Sequence, residues 1–460
     1  MNTIVVGGGP AGLSAAVEIL RAGGKVTIIE SAPRLGGQYW RHDASGEGSH
    51  DFAHFRTLRE EIMDDSHASV LTSSQVWSAL YQNGLTTMHV LTEQGEATLV
   101  SSSVLLATGA YDRSLPFPGW DLPGVMTAGG AQALLKGQNV ALGKDVIVGG
   151  TGPFLLPVAA GLVESGVNVI AVLEANLPTR WLSHLLRVDV SKVKEGQRYL
   201  SVLRKSGTPI RFGRAVIGAH GHHRVEEATV AALTPAFAIK PGSFERFKCD
   251  ALAIGWGFTP DLSLATSLGV HCKVVRADGS VVVSVDERQM TSLAGMYAAG
   301  EITGVGGIEL SLVEGRIAGI AMAFSQELIT DPAIRSAGLV TARKKLRAFA
   351  ASLAHVYRVA DGWRSWLEPE TLLCRCEEVS LHDVMHAVHE LGAIDTRTAK
   401  LFTRCGMGMC QGRICERNVS EIVAGELGKS LSDDERRSHH NRPIVTPVSL
   451  GTLAQESLRE

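Results

Sequence analysis

The chain has 460 residues, a formal net charge of −3 at pH 7, 45% hydrophobic residues and 20% charged residues. A chain of this length has room for about three domains, each able to bury its own core. The nearly neutral balance gives no reason to expect nucleic acid or an anionic membrane as a partner.

The first predicted strand begins at Thr3, which leaves no room for a signal peptide. No uninterrupted apolar run is long enough to span a bilayer. The seven cysteines are an odd number, which favours a reduced protein with a metal site over a disulfide framework. We therefore expect a cytoplasmic protein without a transmembrane segment.

The N-terminal segment TIVVGGGPAGLSAAVEILRAGGKVTIIE predicts a strand, a glycine turn, a helix and a second strand that ends at Glu30. Gly7, Gly9 and Gly12 fit the pattern G-x-G-x-x-G. In this pattern the first glycine makes a tight turn, the second admits a pyrophosphate, and the third lets helix and strand pack closely. Glu30 is placed to accept hydrogen bonds from a ribose. A simple packing turn is the alternative, but strand, helix and acid in this order favour a dinucleotide site.

An amphipathic stretch at 51–64 predicts a helix, and TSSQVWSALY, LTTMHVLTEQ and EATLVSSSVLLATG predict three strands. Strands return from about residue 250 in DALAIGWGFTPDL and GMYAAGEITGVGG. The segment GGIELSLVEGRIAGIAMAFSQELI predicts a helix, after which Asp331-Pro332 breaks the pattern.

A second strand–turn–helix–strand unit lies in KDVIVGGTGPFLLPVAAGLVESGVNVIAVLE. An offset of 143 residues from the first unit gives Gly150, Gly152 and Leu155, so leucine replaces the third glycine. The leucine side chain must force helix and strand apart or find a pocket. Glu174 occupies the position of the acid in the first unit, which favours NAD over NADP. Three interpretations stay open: an NAD site, a site for another adenine nucleotide, and a scaffold.

These motifs resemble the glutathione/thioredoxin reductase superfamily of flavoproteins over about residues 1–330. The resemblance rests on GGGPAG at 7–12, GGQ at 36–38, ATG at 107–109 and GMYAAGE at 295–301. It implies an α/β fold with two dinucleotide-binding domains, FAD in the first, Glu301 on the flavin ribityl chain and Gly36–Gln38 near the isoalloxazine. The cofactor-binding residues that we predict are Gly7, Gly9, Pro10, Ala11, Gly12, Glu30, Gly37, Gln38, Val76, Ala107, Thr108, Gly109, Gly300 and Glu301 for FAD, and Gly150, Gly152 and Glu174 for the second nucleotide.

The chain departs from the disulfide reductases in one respect. Residues 1–330 contain no C-x-x-C or C-x4-C pair, so we do not expect thiol–disulfide chemistry there. The same residues contain no Arg/Tyr/His grouping that predicts a clamp for a substrate carboxylate. The sequence therefore predicts redox carriers and assigns no catalytic residue.

Four cysteines near the C-terminus form two close pairs. Cys374 and Cys376 make a C-x-C pair, and Cys410 and Cys415 make a C-x4-C pair. Two such pairs can bring four thiolates to one centre, as a [2Fe–2S] cluster requires. Zinc is the alternative, although zinc sites usually use C-x2–4-C spacing, and the C-x-H pairs of a Rieske centre are absent. We interpret Cys405, outside both pairs, as a packed thiol near the cluster.

The surroundings of these cysteines suit a loop that wraps a charged cluster. Glycines at 406, 408 and 412 allow the close approach, and Arg375, Lys400, Arg404 and Arg413 can offset the negative charge. The cysteine segment resembles the bacterioferritin-associated-ferredoxin (BFD) type of [2Fe–2S] domain, a small helical module. His382, His386 and His389 share one helix face there, and we interpret them as a polar face although a metal site is conceivable.

The predicted organisation has five parts. Residues 1–115 with 250–330 form the FAD-binding domain, and 116–249 form the second nucleotide-binding domain. A linker of 331–368, with a helix at 341–358, leads to the [2Fe–2S] domain at 369–427, in which a helix starts at Ser380 and stops near Gly392. The polar tail at 428–460 contains SDDERRSHHNRP, which we expect to be exposed.

A flavoprotein reductase fold with such a C-terminal domain resembles the α (A) subunits of hetero-oligomeric amino-acid and opine dehydrogenases. That group includes octopine and nopaline oxidases, D-hydroxyproline dehydrogenase, archaeal-type proline dehydrogenase and the B-type component of hydrogen cyanide synthase. The resemblance covers nearly the whole chain, including RPIVTPVSLGTLA at 442–454. It implies an electron-transfer subunit that works with a substrate-oxidising FAD-dependent β subunit, sometimes together with a small ferredoxin-like γ subunit. The alternatives are a stand-alone NAD(P)H-dependent reductase and a scaffold subunit.

Overall fold

The computed structural model describes residues 2–43, 52–187, 190–442, 444–451 and 454. The strands are β1 (Asn2–Val6), β2 (Lys25–Ile29), β3 (Ala68–Leu71), β4 (Gln75–Gln82), β5 (Leu85–Thr92), β6 (Gly95–Ser101), β7 (Val104–Leu106), β8 (Ala110–Asp112), β9 (Val125–Thr127), β10 (Asp145–Gly150), β11 (Asn168–Glu174), β12 (Ile210–Phe212), β13 (Arg214–His220), β14 (Glu227–Ala232), β15 (Glu245–Lys248), β16 (Ala251–Gly255), β17 (Phe258–Pro260), β18 (Cys272–Val274), β19 (Val281–Val283), β20 (Met296–Ala298), β21 (Leu372–Cys374) and β22 (Val379–Ser380).

The α-helices are α1 (Pro10–Arg21), α2 (Phe52–Met63), α3 (Ala128–Gln138), α4 (Leu155–Glu164), α5 (Val190–Lys205), α6 (Ser263–Ser267), α7 (Ile308–Ser325), α8 (Pro332–Val356), α9 (Leu381–His389), α10 (Thr396–Thr403), α11 (Glu416–Glu426) and α12 (Asp433–Ser438). Short 3₁₀ segments cover Pro178–Arg187, Glu301–Thr303 and Asp361–Trp366. Within the described ranges, no helix combines the length and the apolarity that a bilayer crossing needs.

The chain forms two compact units. The first unit contains 1–111, 259–350 and 440–460, and the second contains 112–258 and 351–439. The cysteine segment thus shares a unit with the second glycine motif. The domain boundaries stated above stay predictions.

The first unit is built on a five-stranded parallel sheet with the order β20-β7-β1-β2-β3. The strands are short apolar runs because helices cover the sheet. Helices α1 and α7 approach each other closely, since a Cβ at Gly315 or Gly319 would collide with the backbone of α1. The loop after β1 therefore lies at the carboxyl edge of the sheet, between β2 and β7.

A three-stranded antiparallel sheet, β4-β5-β6, also belongs to the first unit. The sequence predicted its last strand and the following one as a single strand, which is wrong. Ser101 ends β6, and its hydroxyl donates to the carbonyls of Asn2 (2.7 Å) and Ser103 (2.9 Å). These bonds turn the chain so that β7 joins the parallel sheet.

Most of the predicted helices are confirmed, with one difference in α8. The helix predicted at 51–64 is α2, although Asp51 lies outside the described residues, and the next predicted helix is α7. The linker helix predicted at 341–358 begins at Pro332 instead. Proline fits the first helical position, and the Asp331 carboxylate accepts from Ala333 N–H at 3.0 Å, so this dipeptide starts a helix.

The second unit contains another five-stranded parallel sheet, with the order β12-β11-β10-β16-β9. A three-stranded antiparallel sheet, β13-β14-β15, accompanies it. Two parallel sheets, each with a glycine turn after a central strand, confirm the predicted α/β fold with two dinucleotide-type folds.

The cysteine segment folds as a short β21–β22 pair followed by helices α9 to α12. Ser380 caps α9, as predicted, and forms a reciprocal capping box with Asp383. The segment expected to be exposed in the tail is partly buried, because His439 is 8% exposed and His440 is 7% exposed, although α12 itself has no buried residue. The His439 imidazole bonds the Ser420 hydroxyl at 2.7 Å, and residues 443, 452–453 and 455–460 of the tail lie outside the described residues.

Candidate cofactor sites

The three motif glycines of the first turn are of two kinds. Two of them pack against backbone atoms, and the third has an open Cβ position. A Cβ at Gly7 would collide with the Ala107 carbonyl oxygen, and a Cβ at Gly12 would collide with the Gly7 carbonyl oxygen. A Cβ at Gly9 would meet only the Gly37 Cα, at 3.7 Å. Helix α1 begins directly after Gly9, with no side chain bonded to its first N–H groups. The turn therefore offers a cradle and free N–H donors, which fit a pyrophosphate.

Glu30 closes one side of this cradle. Its carboxylate accepts hydrogen bonds from the N–H groups of Gly8 and Ala32, both at 2.8 Å. A carboxylate has about four acceptor positions, so capacity remains for a ribose hydroxyl. Glu30 is 7% exposed, which limits such a ligand to one approach.

The loop at Gly300 and Glu301 lies against the start of α1, where a Cβ at Gly300 would come 2.9 Å from the Ala11 Cβ. The Glu301 carboxylate accepts from the N–H groups of Gly306 (3.1 Å) and Gly307 (2.8 Å). Burial raises the pKa of Glu301 above its usual range. Its role at a ribityl chain stays a prediction.

The remaining predicted FAD residues differ in their surroundings. The Thr108 hydroxyl donates to the Asp261 carbonyl (2.7 Å), and Gln38 accepts from Arg41 (2.7 Å). Gly109 has positive φ and an open Cβ position. Val76 is buried in the same hydrophobic cluster as Val6 and Ile29, and its part in FAD binding stays a prediction.

Sequence reasoning missed a buried ion pair that supports this loop. Glu314 is 1% exposed and accepts from the Gly300 N–H (3.1 Å) and the Thr303 hydroxyl (2.8 Å). Arg347 donates to the same carboxylate (2.8 Å) and to the Gly304 carbonyl (2.9 Å). A buried acid inside the apolar helix α7 was the available signal, since buried carboxylates need partners.

The second glycine turn keeps the first two glycines and relaxes the third position. A Cβ at Gly150 would collide with the Gly255 carbonyl oxygen, while the Cβ position of Gly152 is open. Leu155 is 2% exposed, and its Cδ2 lies 3.4 Å from the Cβ position of Gly255. We expected the leucine either to force helix and strand apart or to find a pocket, and it lies in a pocket. Helix α4 starts at Leu155, whereas the 143-residue offset from Pro10 would start it at residue 153.

Glu174 is held by three hydrogen bonds, as is Glu30 in the first unit, where the Ser31 hydroxyl also donates to the carboxylate at 3.3 Å. Its carboxylate accepts from the Thr151 hydroxyl (2.7 Å) and from the N–H groups of Gly152 (2.8 Å) and Asn176 (2.9 Å). Burial raises the pKa of Glu174 to about 7. The carboxylate therefore serves first as an acceptor for its own loop.

The four predicted cluster cysteines converge. The Sγ atoms of Cys374 and Cys376 lie 3.8 Å apart, and those of Cys376 and Cys410 also lie 3.8 Å apart. The Sγ atoms of Cys374, Cys415 and Cys405 all lie within 4.8 Å of one another. Four thiols in this arrangement fit the donor set of a [2Fe–2S] cluster.

Cys405 is the fifth thiol at this centre. It is buried on the side of Cys374 and Cys415, whereas Cys376 is exposed and Cys410 is half-buried. Hydrogen bonds from Cys405 and Cys415 hold the pKa of Cys374 below its usual range. The prediction that Cys405 is not a cluster ligand rests on sequence spacing and stays a prediction.

Trp120 positions the first cysteine pair. Its indole N–H donates to the Leu372 carbonyl at 2.7 Å, and the Arg375 guanidinium stacks 5.1 Å from its ring centroid. Trp120 and the four cysteines line one cavity of about 290 Å³, whose other walls include Phe117 and Trp256. The cysteine site is therefore bordered by apolar side chains of its own unit.

The three histidines on α9 lie on the surface. His389 faces Glu426 at 3.1 Å, and the rings of His382 and His386 have centroids 6.5 Å apart. Among the described residues, the group of three or more side chains that lie close enough together to hold a metal ion is Cys374, Cys405 and Cys415, and the three histidines are not among them.

Two protein-family models match the chain. The pyridine nucleotide-disulphide oxidoreductase model matches residues 1–326, and the BFD-like [2Fe-2S] binding domain model matches residues 372–425. These matches agree with the glycine turn and the cysteine centre described above.

Curated relatives cover nearly the whole chain. The HcnB component of hydrogen cyanide synthase from Pseudomonas aeruginosa is 32% identical, and the match covers 93% of this chain and 94% of that protein. The A-type component of opine oxidase from Agrobacterium tumefaciens is 31% identical, over 98% of this chain and 91% of its own length. Among solved structures, L-proline dehydrogenase from P. horikoshii has a TM-score of 0.68 at 21% identity, over 98% of this chain and 79% of that chain.

The family models and the geometry agree on the fold and the cofactors, and the relatives agree on the family. The chain belongs to the pyridine nucleotide-disulphide oxidoreductase family, in the group of HcnB and the A-type component of opine oxidase, and is an oxidoreductase with FAD and a [2Fe–2S] cluster.

Proposed function

We propose that this chain is the electron-transfer subunit of a hetero-oligomeric dehydrogenase or oxidase that acts on the C–N bond of an amino acid, imino acid or opine. The convergence of four cysteine thiols in a chain that also carries an FAD fold supports this most directly. The names of the relatives, which are subunits of opine oxidase and hydrogen cyanide synthase, point to the same role.

The two cofactors would connect a two-electron donor, the substrate that is oxidised, with a one-electron acceptor. A flavin takes electrons in pairs or singly and a [2Fe–2S] cluster takes them singly, so together they pass the product of a two-electron oxidation to a one-electron acceptor. The protein's part is to hold each group in place. Gly9 and the first N–H groups of α1 would bind the FAD pyrophosphate, Glu30 the ribose, and the four cysteines the cluster.

We also propose a substrate-oxidising β subunit with its own FAD, sometimes with a ferredoxin-like γ subunit, and a cytoplasmic location. Residues 1–330 contain no grouping that predicts a carboxylate clamp, so the substrate site would lie in the partner. A stand-alone NAD(P)H reductase is the second candidate, favoured by the open Gly152 position in the second glycine turn.

Purification from the native source tests the proposal. We expect a second flavoprotein chain to co-purify, and dehydrogenation of a secondary amino acid or opine to require both chains. A homo-oligomer that oxidises NADH rapidly with full flavin and cluster content would favour the reductase instead.

A further inference from the structure

Large apolar side chains lie exposed beside the cysteine centre. Leu401 and Phe402 lie in the last turn of α10, and Met407 and Met409 lie on the loop that leads to Cys410. Leu401 is 66% exposed and Met409 is 85% exposed, and the other two are also exposed. We call these four residues the cluster-side patch. The four lie within residues 401–409, and large exposed apolar side chains close together mark interaction sites more often than scattered single ones do.

The patch adjoins the open edge of the cysteine centre. Cys376 is exposed and Cys410 is half-buried, while Cys374 and Cys415 are buried. A tight turn, in which the Gln411 N–H donates to the Gly408 carbonyl at 2.8 Å, carries Met409 next to Cys410. An electron that leaves the cluster by its shortest route to the surface would therefore leave through this patch.

The chain segment that carries the patch is basic. Residues 396–413 contain Arg397, Lys400, Arg404 and Arg413 and no Asp or Glu, so they carry a charge of +4 in a chain of net charge −3. Arg397 and Arg404 are exposed, and Arg404 pairs with Glu377 at 2.9 Å. An apolar centre with a charged rim is the usual composition of a protein interface, and its charge selects a partner of opposite sign.

We propose that the cluster-side patch docks an acidic one-electron acceptor protein, an inference that rests on the proposed function. One electron would leave the reduced cluster and reduce the redox centre of the acceptor, with no bond made or broken. A second copy of this chain is a poor occupant, because a two-fold contact would oppose two basic surfaces. The small size of the patch suits a transient electron-transfer encounter that charge can steer.

The experiment uses the purified holoprotein, reduced anaerobically with dithionite and mixed with either of two c-type cytochromes, one acidic and one basic. Both are one-electron acceptors of similar chemistry. We expect the acidic cytochrome to be reduced about tenfold faster at low ionic strength, with the advantage falling as salt screens the charges.

Variants assign the effect to the patch. Leu401→Asp and Arg397→Glu should each slow reduction of the acidic cytochrome by about tenfold while iron content and cluster absorption stay unchanged. Leu182→Asp and Lys429→Glu are matched controls, since Leu182 is 70% exposed and Lys429 is exposed, both in the same unit but outside the patch.

Equal rates with the two cytochromes, or unchanged rates in the patch variants, would overturn the inference. Patch-dependent binding to vesicles of anionic lipid, without an effect on the acidic cytochrome, would also overturn it in favour of a membrane surface. Because dithionite supplies the electrons, this result does not depend on which substrate the complex oxidises. A failure of the proposed C–N chemistry would therefore be seen separately.

Discussion

The cysteines of the cluster site reach it from different elements and differ in burial. Cys410 and Cys415 can reach one centre from a single loop, and Cys415 also starts α11. Cys405 reaches the centre from the end of α10, on its buried side. Sequence spacing favours four cysteine ligands, whereas the geometry also brings a fifth thiol, Cys405, to the centre. Substitutions can show which of the five cysteines bind the cluster.

We expect Cys410→Ser to lose the cluster and Cys405→Ser to keep it, with about two irons per chain in the second variant. The physical reason is that serine oxygen is a poor replacement for a thiolate ligand, while a packed thiol tolerates an isosteric change. Metal analysis and visible absorption of anaerobically prepared protein measure this. Iron lost from the Cys405 variant but retained in the Cys410 variant would reverse the ligand assignment.

Glu174 makes stability depend on pH. Burial raises its pKa from 4.5 to about 7 in the folded chain, a difference of roughly 3 kcal/mol. The folded state thus keeps this proton to higher pH than the unfolded chain does. The stabilisation is complete below pH 4.5, declines as pH rises, and is lost once pH passes about 7.

We expect Glu174→Gln to remove this pH dependence. The difference in unfolding midpoint between wild type and variant should change between pH 4.5 and 7 and stay constant above that range. Glu164→Gln on the exposed face of α4 is the control for loss of a glutamate outside the second glycine turn. A wild-type-minus-variant difference that is flat with pH for Glu174 as well would contradict the raised pKa.

At the scale of elements, the sequence predicted both glycine turns because their pattern is local. It could not predict the pocket of Leu155, because Gly255, which provides the space, is a hundred residues away on another strand. The start of α8 was missed because Asp331-Pro332 is compatible with both a break and a helix N-terminus. The Glu314–Arg347 pair was missed because its partners lie on different helices.

Substitutions of Gly9 and Gly12 test cofactor binding and helix packing separately. Gly9→Ala should leave the thermal midpoint of the apoprotein nearly unchanged but reduce FAD affinity by about tenfold or more, because its Cβ would fill the open cradle. Gly12→Ala should lower the midpoint itself, because its Cβ collides with the Gly7 carbonyl. FAD content per chain and thermal unfolding of the apoproteins measure both effects.

The reverse pattern would contradict this account of the turn. A Gly9 variant that keeps full FAD would mean that the cradle is not where the pyrophosphate lies. A Gly12 variant with an unchanged midpoint would mean that helix α1 can shift away from β1 at little cost.

For the whole molecule, the motifs and the family resemblance that they carry predicted the fold class and both cofactors, and the family matches confirm them. The division of the chain was harder to predict, since the cysteine segment shares a compact unit with the second nucleotide fold. Contacts such as the Trp120 indole on the Leu372 carbonyl cross about 250 residues of sequence. No local pattern carries that information.

In the function that we propose, electrons enter from another chain, because residues 1–330 carry no predicted substrate clamp. We therefore expect the isolated holoprotein to be inert towards secondary amino acids and opines, and to accept their electrons only when its partner flavoprotein is present.

Anaerobic stopped-flow spectroscopy tests this central claim most directly. The isolated chain, and the chain assembled with its partner, are mixed with a panel of secondary amino acids and opines, and flavin and cluster absorption are followed. We expect bleaching of both chromophores in the assembled protein and no substrate-dependent bleaching in the isolated chain. Rapid flavin reduction of the isolated chain by any of these substrates would contradict it.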